Sequence, residues 1–280
     1  MVHIYYHDRP SPRMFLLFLA WLFLTPDNYQ VPLPESCRIH NMTFTQGGCG
    51  ACSAFALATL ASMHLCIREG VDRIPSPYQL FNCANAKCGV GTNVFILHPI
   101  LQAGIKDLQD SPQAFGFRCM LDRSKHIESI HKPHNLLSEE ETKAVITLSK
   151  EPVIGVVEGR LWRDLSTGIY IHIKDDISNH ALVVTGWGDN PYPHWIVKNS
   201  WGESWGDGNG QGRICTRALS GAFEFTGTAA RAAQIETGLF IVFGIICPVL
   251  LMFCMVAQQC YECHKQMRRS GSYERISQCV

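Results

Sequence analysis

Residues Gln46 to Phe55 read Q-G-G-C-G-A-C-S-A-F, and the run that starts inside them, Cys52 to Arg68 (CSAFALATLASMHLCIR), carries Ala, Leu and Met at helical spacing. That pattern predicts a helix beginning at or just before Cys52. A thiol at a helix start meets the positive end of the helix dipole, which favours thiolate, the nucleophilic form. A thiolate needs a partner that holds charge and later donates a proton, and histidine suits both tasks. The candidate is His180, in S-N-H-A-L-V-V-T-G-W-G, whose following residues predict a strand that would fix it. A third group should orient the ring, and Asn199, in W-I-V-K-N-S-W-G, is placed to do so. The plainer reading of Cys52 as a buried structural cysteine leaves the company of Gln46, His180 and Asn199 unexplained.

These three blocks resemble the papain and cathepsin family of cysteine peptidases, and the resemblance spans roughly Leu33 to Arg217. It implies an α+β fold of two lobes, one helical and one barrel-like, with a cleft between them. By the same resemblance Gln46 supplies the side-chain donor of an oxyanion hole, together with the Cys52 N–H. Trp201 is similar to the tryptophan that shields the Asn–His hydrogen bond. Gly91 is similar to the glycine that pairs its backbone with an extended substrate, and Phe223 to a residue of the second subsite. Cys49 with Cys88, and Cys83 with Cys119, resemble two family disulfides. Cys37, Cys66 and Cys215 match no family role, and two of them are free to pair. The implied reaction is hydrolysis of a peptide or protein substrate through an acyl-enzyme, with no metal or organic cofactor. A zinc site is the competing reading of the cysteines, but Cys83 and Cys88 lack the close CxxC spacing.

The chain departs from the family pattern at two places. Ser53 stands where a tryptophan usually follows the nucleophile, and Cys88-Gly89-Val90-Gly91 replaces the usual Cys-x-Gly-Gly. About ten residues separate the N-terminal apolar run from the domain, where a pro-region would take tens. These features favour the alternative function, a non-enzymatic membrane receptor or adaptor on a protease-like scaffold. The intact Cys, His, Asn and Gln set opposes it.

Outside the domain the sequence reads as targeting signals. Met14 to Leu24 (MFLLFLAWLFL) is a short apolar run preceded by Arg9 and Arg13, so residues 1–26 read as a signal peptide or signal anchor. Gly238 to Ala257 is 20 residues without a charge, long enough as a helix to span a bilayer. Lys265, Arg268, Arg269 and Arg275 follow it and put the tail, 258–280, in the cytosol. Residues 227–237 are mostly small or polar and suit a stalk. The expected arrangement is a type I membrane protein with domain 27–226 lumenal or extracellular. Asn41-Met42-Thr43 is a glycosylation sequon there. Tyr273-Glu274-Arg275-Ile276 matches a Tyr-x-x-apolar motif, so Tyr273 and Ile276 are candidate contacts for a clathrin adaptor and an endosome or lysosome-like destination.

Of 13 cysteines, 8 lie in the expected lumenal part, where thiols can oxidise. Lys+Arg and Asp+Glu both number 24, and no basic stripe stands out, which argues against nucleic acid as a partner. His126, His131 and His134 read as a solvated loop rather than a metal site. Cys260-Tyr261-Glu262-Cys263-His264 matches a haem-attachment pattern, but beside a membrane helix it reads as chance or as palmitoylation of Cys260 and Cys263. A helix is expected over Ser138 to Lys150, capped by Ser138, and strands over Val153 to Val157, Ala181 to Thr185 and Trp195 to Val197.

Overall fold

The helix announced by the Cys52 block forms at Cys52–His64 (α2), after a single turn at Arg38–Asn41 (α1). From Ser53 to His64 every residue of α2 is buried. A helix enclosed on all sides must be apolar or small on all sides, and Ala, Leu, Phe and Met meet that demand. The Ser62 hydroxyl donates to the Ala58 carbonyl at 2.8 Å and so needs no outside partner. The expected helix ran to Arg68. Instead α2 widens into a π-helical turn at Leu65–Glu69, closed by Gly70 at φ 65°. This turn carries Cys66, bonded to Cys37, and Arg68, which with His64 grips the buried carboxylate of Glu151.

This computed structural model describes residues 27–159, 169–170 and 179–227. The expected signal (1–26), nearly all of the stalk, the membrane segment (238–257) and the tail (258–280) lie outside the described residues. Among the described residues no helix is long and apolar enough to cross a membrane.

The remaining α-helices among the described residues are Pro77–Cys83 (α3), Val94–Ala103 (α4) and Glu139–Ser149 (α5). Each start is capped by a side-chain oxygen: Ser76 accepts from Gln79 N–H, Asn93 from Ile96 N–H, and Ser138 from Glu141 N–H. These caps satisfy amides that the helix itself leaves unpaired. The Ser138 cap and the acidic first turn of α5 match the sequence expectation.

The strands are Asn28–Gln30 (β1), His134–Leu136 (β2), Val153–Val157 (β3), Ile169–Tyr170 (β4), His180–Gly188 (β5), His194–Lys198 (β6), Gln211–Cys215 (β7) and Leu219–Glu224 (β8). They form one sheet in the order β2-β8-β3-β5-β6-β7-β4, with β1 also pairing β5. The pairings are antiparallel except for β4 with β7. The three expected strands are all present, two of them longer than the apolar pattern suggested.

Two cores result. One gathers around α2, with Phe55, Leu57, Leu80, Phe81, Leu97 and Leu101 fully buried. The other lies against the sheet, around Trp187, Trp195, Trp205 and Ile214. Strands β3 and β5 serve both: Ile154 and Val183 face the first core, Val153 and Val184 the second. Alternation along a strand sends successive side chains to opposite faces, so two strands can separate and join two lobes. This is the α+β architecture expected from the sequence.

Candidate active site

Cys52 is the first residue of α2, and its approach is pinned by backbone bonds and a disulfide. Gln46 N–H donates to Ser200 O at 2.9 Å and Gly50 N–H to Cys88 O at 2.8 Å. The Cys49–Cys88 disulfide holds the same two segments, with Cα atoms 4.3 Å apart. Gly50 and Gly91 pack backbone to backbone: a Cβ on either would lie 2.8 Å from a carbonyl oxygen of the opposing segment. Gly91 also sits at φ 77°, a conformation that glycine alone adopts readily. Being at the first helical position, the Cys52 N–H has no acceptor within the helix.

His180 opens β5, and Asn199 directly follows β6. In the β5–β6 register Lys198 pairs with Val183, which brings Asn199 alongside the start of β5. Asn199 Oδ1 accepts from His180 Nε2 at 2.8 Å and from the Ser200 N–H at 2.8 Å. A backbone N–H can only donate, so this atom is the amide oxygen, and His180 must carry its proton on Nε2. Nδ1 is thereby the nitrogen whose lone pair can accept a proton. The Trp201 ring lies over the imidazole, with centroids 4.3 Å apart and planes inclined by 31°, and Trp205 packs edge-on against Trp201. His180 and Asn199 are buried. Asn199 Nδ2 is buried with no hydrogen-bond partner among the described residues.

Gln46 is likewise buried and held from both ends. Its Oε1 accepts from Ser200 Oγ at 2.6 Å, and its Nε2 donates to Cys49 O at 2.8 Å. An amide nitrogen has two hydrogens, so one remains for another acceptor. The Ser200 contact was not anticipated from sequence, although the residue lies between two that were.

One cleft of about 650 Å³ contains these groups, lined by Gln46, Gly47 to Gly50, Cys52, Cys88, Gly89, Gly159, Asn179, His180 and Trp201. Gly159 gives His180 its room, since a Cβ there would come within 2.5 Å of the histidine Cβ. The cleft therefore unites a thiol, an imidazole with a fixed tautomer, and the N–H donors of Cys52 and Gln46. That combination can attack a carbonyl, hold the resulting oxyanion and protonate a leaving group.

Gly91 is not among the residues that line the cleft, and its N–H donates to Lys87 O at 2.9 Å, so that donor is already engaged. Gly89 lines the cleft in its place. Val90 raises no wall in the cleft, because its side chain is 86% exposed to solvent. Ser53 is buried beneath the start of α2. Phe223 is partly buried and packs edge-on against Phe95 of α4. Cys83 joins Cys119, and Cys37 joins Cys66, which leaves Cys52 and Cys215 as the free thiols among the described residues.

Comparison with known proteins agrees with this fold. The family model for papain family cysteine proteases matches residues 29–224, and the chain belongs to that family. It is similar to human (Homo sapiens) cathepsin O, at 28% identity over 213 residues, covering 71% of this chain and 66% of that protein. It is also similar to the viral cathepsin of Epiphyas postvittana nucleopolyhedrovirus, at 31% identity over 173 residues, covering 58% of this chain and 52% of that one. The chain thus spans between half and two thirds of the length of these relatives. The fold is shared with bromelain from Ananas comosus, solved with the inhibitor E64, at a TM-score of 0.58 and 23% identity, over 72% of this chain and 99% of that one.

Proposed function

We propose that this chain is a cysteine-type peptidase that hydrolyses peptide bonds through an acyl-enzyme. The observation that carries this reading is the bond between His180 Nε2 and Asn199 Oδ1, in a cleft that also holds Cys52 and Gln46. His180 Nδ1 takes the thiol proton, and the Cys52 sulfur attacks the substrate carbonyl carbon. The carbonyl oxygen becomes an oxyanion, held by the Cys52 N–H and the second Nε2 hydrogen of Gln46. The imidazolium, its charge shielded beneath Trp201, then gives its proton to the departing amine. Water, deprotonated by His180, releases the acid and restores the thiol. Backbone pairing to an extended substrate falls to the Cys88–Gly91 turn without the Gly91 N–H.

Cys52→Ala should abolish both peptide cleavage and labelling by a thiol-directed epoxide. Asn199→Ala should keep the labelling and lose turnover by about 10²-fold, since orientation goes while the nucleophile stays. Full cleavage activity in Cys52→Ala would refute the assignment.

The compartment reading rests on the sequence. We place the domain in the secretory lumen as part of a type I membrane protein, with an endosome or lysosome-like destination through Tyr273 and Ile276. Asn41 supports this by being exposed at the end of α1, open to glycan transfer. A mobility shift on enzymatic deglycosylation, absent in Asn41→Gln, tests it. Cytosolic accessibility of the domain in intact vesicles would count against it.

A further inference from the structure

A second cavity, of about 280 Å³, shares no lining residue with the Cys52 cleft. It lies where the segment after β1, helices α1 and α2, and strands β5 to β7 converge, and Lys198 contributes the one lysine of its lining. Lys198 is 4% exposed. An ammonium carries three donors, and here a single bond is formed, from Nζ to His40 O at 3.2 Å. No Asp or Glu lines the cavity among the described residues.

The rest of the lining is mixed: Gln30, His40, Thr185 and Gln211 are polar, while Val31, Pro32, Leu33 and Met63 are apolar. Gln30 comes from β1, Gln211 from β7 and Thr185 from β5, while α2 offers Met63. Thr185 sits at the register shift between Val184 and Gly186, where β5 and β6 part, and its hydroxyl donates to Ile196 O at 3.2 Å. His40, on α1, is the other titratable group that faces the space, and its Nδ1 is bonded to Asn41 Oδ1. A buried cation without a counter-charge is costly, and a cavity beside it offers room for one. Burial pushes the Lys198 amine down to about 8 from the ordinary 10.5, so it is still largely protonated at neutral pH.

We propose that this cavity binds a small monovalent anion, held against the Lys198 ammonium and surrounded by the polar side chains of Gln30, Thr185 and Gln211. The bound anion would tie the N-terminal segment and α1 to the sheet directly beside Asn199. The proposal does not depend on the peptidase reading, because it concerns stability and not cleavage.

The test is thermal unfolding of the full chain, with formate or chloride replacing a bulky sulfonate anion at constant ionic strength. An anion bound only by the folded state raises the unfolding midpoint in a saturable way. The wild type should gain several degrees at pH 7, with less gain by pH 9.5 as the lysine loses its charge. A response to formate alone assigns a carboxylate ligand; a response to both anions, or to chloride alone, assigns an inorganic one. Lys198→Met should show neither response. No shift with either anion in the wild type, or an equal shift in Lys198→Met, would overturn the proposal. If that variant does not fold, a wild-type shift that is as large at pH 9.5 as at pH 7 overturns it equally.

Discussion

Ser200 binds two residues of the site at once: its hydroxyl donates to Gln46 Oε1 at 2.6 Å, and its N–H donates to Asn199 Oδ1 at 2.8 Å. One residue thereby sets the orientation of the oxyanion donor on one side and of the histidine's anchor on the other. The hydroxyl can be removed by mutation while the N–H stays, which separates the two roles.

Ser200→Ala should therefore affect only the Gln46 side. The amide loses the bond that fixes its flip, at a cost of about 1 to 1.5 kcal/mol, or roughly a tenfold fall in kcat. KM and the rate of labelling by a thiol reagent should stay near wild type, because Cys52 and His180 keep their places. Steady-state kinetics with a short peptide substrate, run beside the labelling assay, checks this.

Gly91 and Gly89 should respond oppositely to the same substitution. Gly91→Ala places a Cβ 2.8 Å from the Gly50 carbonyl oxygen at φ 77°, so strain and overlap should lower stability by about 2 kcal/mol or more. Gly89 has open space around its Cβ position. Gly89→Ala should leave the unfolding midpoint unchanged and raise KM by narrowing the cleft. Paired thermal unfolding and kinetic measurements on the two variants distinguish the effects.

The Cys37–Cys66 bridge closes a span of 29 residues, from α1 to the turn that ends α2. A loop of that size restricts the unfolded chain by about 3.6 kcal/mol. Replacing both cysteines by alanine should lower the free energy of unfolding by that order and leave kcat nearly untouched. Denaturant unfolding of the double variant measures the loss.

With a bulky sulfonate as the sole buffer anion, Lys198 should give stability a rising slope in mild alkali. In the unfolded chain its amine titrates near 10.5, and in the folded chain near 8. Below pH 8 both states are protonated, and the folded state bears the whole cost of the buried charge. Between pH 8 and 10.5 the unfolded chain holds more protons, so stability rises with pH across this window. The full gain is roughly 3 kcal/mol, at about 1.4 kcal/mol per pH unit. Unfolding free energies at pH 7, 8.5 and 9.5 should climb in the wild type relative to Lys198→Met.

Cys52, His180, Asn199, Gln46 and Trp201 were legible in the sequence because their chemistry depends on residue type and on neighbours in the same short block. So were the helix after Cys52 and the Ser138 cap, which are set by local periodicity and local hydrogen bonding. Ser200 was not legible, because its role depends on where a residue 154 positions away places its amide. The bond from the Gly91 N–H to Lys87 O was not legible for a related reason: a glycine in a turn does not announce whether its N–H faces outward or its own chain. Nor did spacing choose Cys66 over Cys215 as the partner of Cys37, since that choice follows from the widened turn after α2. Lys198 follows the apolar run Trp195 to Val197, and only the register shift at Thr185 reveals that a cavity lies beside it.

The place of β8 between β2 and β3 governs when the cleft can come into being during translation. β8 ends at Glu224, after every residue named in the chemistry, and it pairs with His134 to Leu136 and with Ile154 to Val157. Such distant partners meet slowly, because a long loop must close before the contacts repay it. While β8 is still inside the ribosome, β3 lacks its neighbour on one side, and β3 is the strand that holds the start of β5, where His180 stands. A nascent chain long enough to carry Cys52, His180 and Asn199 is thus still missing a structural support of the histidine. Pairing of β8 with β3, rather than synthesis of the last residue of the cleft, sets when the strand that holds His180 is flanked on both sides.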